Sequence, residues 1–258
     1  MSDLNLTVTD GAARLVLDRA ESLNAISPDA LTDLIDACAA LSSNDEVRVV
    51  VLEGAGGCFS AGADLPAFMA AFAGPDAHSL ADLGRRATNA VAELPQITIA
   101  GIRGHCVGGG LVLAGACDLR IASQNARFLI PELDAGIPLG WGGLDHLVRL
   151  VGETVAADWV LSCRSFTPEE ALRAGLVSRV VPTAELEREL GALAAAVARK
   201  PASVLRTTKQ QLSAIRSGTF DATADANALL SALRDPEAMQ AGRDYLTKRF
   251  GKKAGPAR

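Results

Sequence analysis

Two stretches constrain this chain more than any others. VRVVVLEG (47–54) and QITIAGI (96–102) are mostly apolar, and the first is crowded with β-branched residues. Such runs suit strands buried on both faces, which need material packed on each side of their sheet. Each run passes straight into a glycine-rich turn, GAGGCFSAGAD (54–64) after the first and GHCVGGG (104–110) after the second. Three adjacent glycines, Gly108 to Gly110, cost conformational entropy, so they stand where a side chain would be in the way.

The rest of the pattern fills in an α/β fold. LNLTV (4–8) and ARLVLD (13–18) flank TDGA and read as a hairpin. Ser27-Pro28-Asp29 starts a helix that runs to Leu41, with serine as the cap and proline in the first turn. Residues 65–94 read as helical with a break around Gly74-Pro75. DLRIAS (118–123), ARFLI (126–130) and LVSRVV (176–181) read as further strands. PELDAGIPLGWGGLDHLVRLVG (131–152) is a loop that becomes a helix, and Pro201 starts a new one. The last sixty or so residues carry no strand signal. An α/β region of roughly 190 residues with a helical tail follows.

Composition excludes several classes. The 258 residues are 49% hydrophobic with a net charge of -5. That content supports a substantial core. There is no long basic block, and one Tyr and two Trp leave little to stack on bases, so no nucleic-acid partner is expected. The KRFGKKAGPAR end is basic but short and reads as a frayed tail, with an anionic ligand contact as the alternative. Five cysteines without a C-x-x-C pair indicate a reducing compartment. Three scattered histidines give no metal spacing, so no metal is expected. The N-terminus lacks the layout of a signal peptide and no apolar run is long enough to span a bilayer. A cytoplasmic protein with no membrane partner is the expectation.

The paired glycine turns carry the chemistry. Bare backbone that follows a strand and opens a helix presents N–H groups to negative charge. Two such turns in one domain, without a P-loop lysine, are best explained by two amides meeting at one oxygen. In an oxyanion hole each donor is worth roughly 3–4 kcal/mol to a developing negative charge. Reading VVVLEGAGG (49–57) as a dinucleotide-binding turn fails, because no G-x-G-x-x-G opens a helix there.

Five segments, in order, resemble the enoyl-CoA hydratase/isomerase (crotonase) superfamily. DRAESLNAIS (18–27) resembles its R-P-x-x-x-N-A-L segment, CFSAGADL (58–65) its F-x-A-G-A-D-[LI], and RGHCVGGG (103–110) its N-G-x-x-x-G-G-G. FLIPELDAGIPLGWGGLDHL (128–147) resembles the segment with P-E and a later G-G. CRSFTPEEALRAGLVSRVV (163–181) resembles G-R-x-x-x-A-x-E-A-x-x-x-G-L-V. The resemblance implies a spiral of strand–strand–helix units over residues 1–195, and a C-terminal helical region over 196–258 that builds a homotrimer or a dimer of trimers. It implies an acyl-CoA thioester substrate and no separate cofactor, coenzyme A entering as part of the thioester.

Carried over residue by residue, it gives the amides of Ala63 and Gly109 the thioester oxygen, and makes Glu132 the catalytic acid–base. On this reading Gly109 is bare so that the thioester can sit against its amide. Leu23, Ala25, Ala61, Asp64, Leu65 and Gly108 would line the bound CoA. Lys209 matches a cation near the CoA phosphates, with a solvated helix face as the alternative. Phe68, Met69, Val112, Leu139 and Trp141 would shape the acyl pocket, and Phe72 lies on the same helix. Asp134, Asp145 and His146 read as surface or capping residues, His105 as a structural hydrogen bonder, and Cys58 and Cys106 as inert.

One departure matters. Family hydratases place a Glu two residues after the third glycine, and here that residue is Val112. A lone Glu132 favours isomerisation, in which one carboxylate moves a proton between carbons. Hydration or other enolate chemistry with a substitute group, and non-catalytic acyl-CoA binding, remain as alternatives.

Overall fold

The computed structural model describes residues 3–74 and 76–251. The break expected at Pro75 and the last seven residues of the basic C-terminus lie outside the described residues.

The chain clusters into two compact units, one up to Ala195 and one from Ala196 onward. The first is built on a six-stranded sheet. Strands β1 (Leu4–Thr9) and β2 (Ala12–Leu17) form the antiparallel hairpin. Strands β3 (Val49–Gly54), β4 (Ile97–Ile102), β6 (Leu119–Ser123) and β8 (Arg179–Val181) add in parallel, in the order β1-β2-β3-β4-β6-β8. Register pairs Val51 with Ile99 and Ile99 with Leu119 at its centre. The two apolar runs, 47–54 and 96–102, therefore supply adjacent central strands, and each continues into a glycine turn at the same end. Glu53, the one acid of β3, is buried beside Arg14 of β2, which also holds Glu187.

Helix α1 (Pro28–Ser42) starts where expected. The Ser27 side chain accepts from the Ala30 N–H at 3.0 Å, and Ala30, Leu31, Leu34, Cys38 and Leu41 form the buried face. The segment 65–94 is two helices, α2 (Leu65–Phe72) and α3 (Ala77–Ala92). Helix α4 (Gly109–Ala116) is the short apolar helix after the glycine turn, and it is buried on every side. Arg120 of β6 donates to carbonyls at its C-terminal end.

The sequence reading missed strand β5 (His105–Val107). It pairs in parallel with β7 (Arg127–Leu129) in a separate two-stranded sheet. Three residues are too few to show a period. LVSRVV shrinks to the three residues of β8, because Leu176 and Val177 are buried ahead of the strand rather than paired in it.

Helices α5 (Gly143–Val151), α6 (Glu153–Ser162), α7 (Pro168–Ala174) and α8 (Leu186–Ala198) complete this unit, the last running into the second. Under the small sheet lies an aromatic stack. Trp159 of α6 lies on Phe166, whose ring is 5.3 Å from that of Phe128 in β7. Phe128 and Phe166 also exchange backbone hydrogen bonds.

The second unit is helical, with α9 (Ala202–Ser217), α10 (Asp225–Ala232) and α11 (Pro236–Phe250). Asp235 caps α11 by accepting from the Ala238 N–H at 2.7 Å. A groove of about 950 Å³ runs between α9 and α10.

Removing a fully packed ring leaves a cavity and deletes a stacking partner. Phe166→Ala is expected to lower the free energy of urea unfolding by about 3–5 kcal/mol, and an effect below about 1 kcal/mol would contradict this role for the stack.

Candidate active site

The site is made where two loops of the first unit, residues 18–27 and 54–64, are stitched to each other and to β5. In the first loop Leu23 and Asn24 both take left-handed backbone conformations, φ 53° and 55°. Buried Asn24 holds that shape. Its Nδ2 donates to the carbonyls of Ala55 (2.9 Å) and Cys58 (2.7 Å), and its Oδ1 accepts from the Arg19 N–H. The second loop then lies alongside the first. Ile26 N–H donates to Gly62 O, and Asp64 N–H donates to Ile26 O, at 2.8 and 2.9 Å. These bonds flank Ala63 in a parallel bridge, which turns its own N–H the other way.

The same loop docks on β5. Ser60 N–H donates to His105 O and Val107 N–H donates to Ser60 O. A β-carbon built on Gly62 would stand 3.8 Å from Gly109 N, so the Ala63 segment runs beside the start of α4. Gly109 is the first residue of that helix, where N–H groups have no intrahelical partner. Among the described residues, no carbonyl takes the N–H of Ala63 or of Gly109.

Each of the three glycines is bare for its own reason. A β-carbon on Gly108 would stand 2.4 Å from Glu132 Oε1, and its backbone (φ 46°, ψ -120°) is one that L side chains rarely adopt. One on Gly109 would stand 2.3 Å from the Trp141 indole, and one on Gly110 would stand 2.7 Å from Ser60 Cβ. The reading of Gly109 is thereby corrected: its missing side chain makes room for Trp141, and it is the amide alone that remains for a ligand.

Glu132 sits in the turn after β7, half-buried, with its buried Oε2 lacking any hydrogen-bond partner among the described residues. Burial raises its pKa above the ordinary carboxylate value, against a smaller opposing effect of its own backbone N–H. It faces a cavity of about 90 Å³ shared with Ala63, Gly109, Val112, Leu139 and Trp141. Val112 is 2% exposed, and its methyls pack where a β-carbon on Gly143 would be 2.3 Å away.

Two amides without carbonyl partners, a desolvated carboxylate and apolar walls therefore meet in one cavity. That arrangement suits a thioester enolate. The enoyl-CoA hydratase/isomerase family model matches residues 7–250. The chain belongs to that family.

A crotonyl-CoA hydratase of Syntrophomonas wolfei is 34% identical over 198 residues, 76% of each chain. A short-chain-enoyl-CoA hydratase of Clostridium acetobutylicum is 33% identical over 201 residues, 78% of this chain and 77% of that one. Among solved structures, an enoyl-CoA hydratase/carnithine racemase from Magnetospirillum magneticum superposes with a TM-score of 0.90 at 27% identity, covering 96% of this chain and 94% of the other. The α/β spiral and C-terminal helices are thus those of the crotonase fold, and the chain is an acyl-CoA enzyme of this family.

The remaining candidate residues fall into three groups. Phe68 is buried, its ring 6.1 Å from that of Trp141. Leu139 completes the wall with Trp141. Met69, expected in the acyl pocket, is 70% exposed instead, because it follows Phe68 by one residue and so lies about 100° further round α2.

Residues expected along the CoA have structural duties. Ala61 N–H donates to Leu23 O, and Arg19 donates to Ala25 O. Gly108 gives its N–H to Leu129 O, so that amide has no part in holding CoA. Asp64 caps α2 and pairs with Arg19 at 2.9 Å, and the Ala67 N–H and that cation hold its pKa below the ordinary range. Leu23 and Leu65 present exposed side chains. Lys209 belongs to α9 of the second unit and is 5% exposed, which removes the solvated-face alternative.

The third group stands outside the chemistry. Asp134 is exposed, and exposed Asp145 pairs with Arg149. His146 lies against Gly115 on the far side of Val112, and His105 turns its side chain to solvent while its carbonyl takes the Ser60 N–H. Burial raises the thiols of Cys58 and Cys106, which keeps them protonated. Among the described residues no group of three His, Cys, Asp or Glu is placed to hold a metal, and no helix is long and apolar enough to cross a membrane.

Sequence reasoning passed over Asn24, Ser60 and Arg19, which set the loops. They lie within DRAESLNAIS (18–27) and CFSAGADL (58–65), where spacing alone does not show which loops they join.

Gly108→Ala is expected to displace the Glu132 carboxylate and cut kcat about a hundredfold with CoA-thioester binding largely kept. Unchanged kcat in steady-state assays would show that the contact does not position the acid.

Proposed function

We propose that this enzyme is an enoyl-CoA isomerase that moves a proton between C2 and C4 of a β,γ-enoyl-CoA. The observation that carries the reading is that Glu132 is the one titratable side chain lining the cavity, among the described residues. The position where resembling hydratases keep a second Glu is the buried Val112, packed on Gly143 and Leu139. A water at that place would meet hydrocarbon rather than a second carboxylate.

The chemistry balances with one acid–base group. The Glu132 carboxylate takes a proton from C2, and the freed electron pair delocalises through C1 onto the thioester oxygen. The amides of Ala63 and Gly109 stabilise that dienolate. Glu132 then returns the proton to C4, leaving a C2=C3 double bond in conjugation with the carbonyl. Apolar walls suit this step, because a carboxylate raised toward neutrality both accepts and returns a proton readily.

Hydration is the second reading, favoured by the names of the relatives, and it needs a water that Glu132 alone must orient. Assays starting from crotonyl-CoA and from a β,γ-enoyl-CoA separate the two by whether conjugation is consumed or created.

Glu132→Gln should lower isomerisation by about 10²–10⁴-fold while acyl-CoA binding by calorimetry persists; wild-type turnover in this variant would overturn the assignment.

Stability carries a second signature with a defined sign. A carboxyl whose folded pKa lies above its unfolded value costs stability as pH rises from the unfolded value near 4.5 through the folded one. The melting temperature of Glu132→Gln relative to wild type should therefore climb as pH rises above about 4.5. A difference that is flat or falling with pH would contradict the burial of the charge.

A further inference from the structure

The reading of Glu132 as the acid–base leaves the length of the acyl chain open, and Trp141 addresses it. Trp141 is a bulky residue with φ 57°, a conformation that favours glycine and is an outlier for an aromatic side chain. It is followed by Gly142 at φ 75°, and the turn is closed by Gly143 N–H donating to Gly140 O at 2.8 Å. Strain of this kind persists where the surroundings over-determine it.

Here the surroundings are two glycines on two helices. A β-carbon on Gly84 of α3 would stand 2.1 Å from Trp141 Cδ1 and Nε1, and one on Gly109 of α4 would stand 2.3 Å from Cζ3. The pyrrole edge is thus seated on α3 and the benzo edge on α4. Phe68 packs nearby at a tilt of 43°. The ring cannot slide toward either helix without meeting backbone.

The cavity beside Glu132 is bounded by this wedge on the α3–α4 side, with Val112 and Leu139 completing the wall. It measures about 90 Å³, a small space beside the position of the thioester. That space takes a few carbon atoms beyond the thioester carbonyl.

We infer that Trp141 is a specificity-determining residue that restricts this site to short acyl chains of about four carbons, an inference that rests on the acyl-CoA reading above. Each methylene pressed against a wall that does not yield is discriminated by about ten- to two-hundredfold. Replacing the indole by hydrogen opens the space toward α3, and glycine suits the local φ.

The test uses butyryl-CoA and octanoyl-CoA, saturated thioesters that bind without reacting, with affinities measured by calorimetry on the full chain. Wild type is expected to bind butyryl-CoA at least about tenfold more tightly than octanoyl-CoA. Trp141→Gly should move that ratio at least about tenfold toward octanoyl-CoA, with Trp141→Phe moving it part of the way. The phenylalanine variant keeps an aromatic ring in the seat and serves where the glycine variant folds poorly. Equal affinities in wild type, or a ratio unmoved by both variants, would overturn the role of Trp141 and leave the acyl-CoA reading standing. Failure of wild type to bind either thioester would overturn the acyl-CoA reading, and this inference with it.

Discussion

The active site depends on one backbone arrangement, the docking of residues 60–64 between the first loop and β5. Ser60 is bonded to β5 on one side through His105 and Val107. Two residues on, Gly62 and Asp64 are bonded to Ile26. Ala63 is thereby fixed with its N–H facing away from Ile26 and its segment beside the first turn of α4. No side chain on these residues supplies chemistry. Their work is to hold two amides in place before a ligand arrives, which lets hydrogen-bond donors stabilise developing charge without reorganising. Gly110 belongs to the same device, since its bare Cα lets α4 approach Ser60.

Onto that frame the protein adds one carboxyl group in an unfavourable place. Glu132 is desolvated, one of its oxygens is buried without a partner, and Gly108 clears the space it fills. A structure optimised for stability alone would satisfy or expose that group. The raised pKa is the chemical return on that arrangement, and Val112 keeps the surroundings apolar. The identity of residue 112 separates the one-carboxylate chemistry proposed here from a two-carboxylate hydration.

Much of this was legible in the chain. Continuous apolar runs placed β3 and β4 at the centre of the sheet, and the glycine turns after them marked the end where the site would form. The motifs brought Ala63, Gly109 and Glu132 together by residue number. What escaped was tertiary. Strand β5 is too short to show a period, and Met69 differs from Phe68 by one step around α2, so only packing tells which faces the pocket. The bareness of Gly109 looked like room for substrate, but it is room for an indole that arrives from a residue thirty-two positions later in the sequence. Asn24 was equally hidden, because its role is to hydrogen-bond carbonyls of a loop that sequence spacing does not place beside it.

The central claim is that a single carboxylate moves a proton at a site without a second acid to hold water. The most direct measurement is mass spectrometry of the products from but-3-enoyl-CoA turned over in ¹⁸O-labelled water. The account predicts crotonyl-CoA as the main product, with no ¹⁸O in the acyl chain. Failure to turn over but-3-enoyl-CoA at all, or a main product that is the 3-hydroxyacyl thioester carrying ¹⁸O, would contradict it.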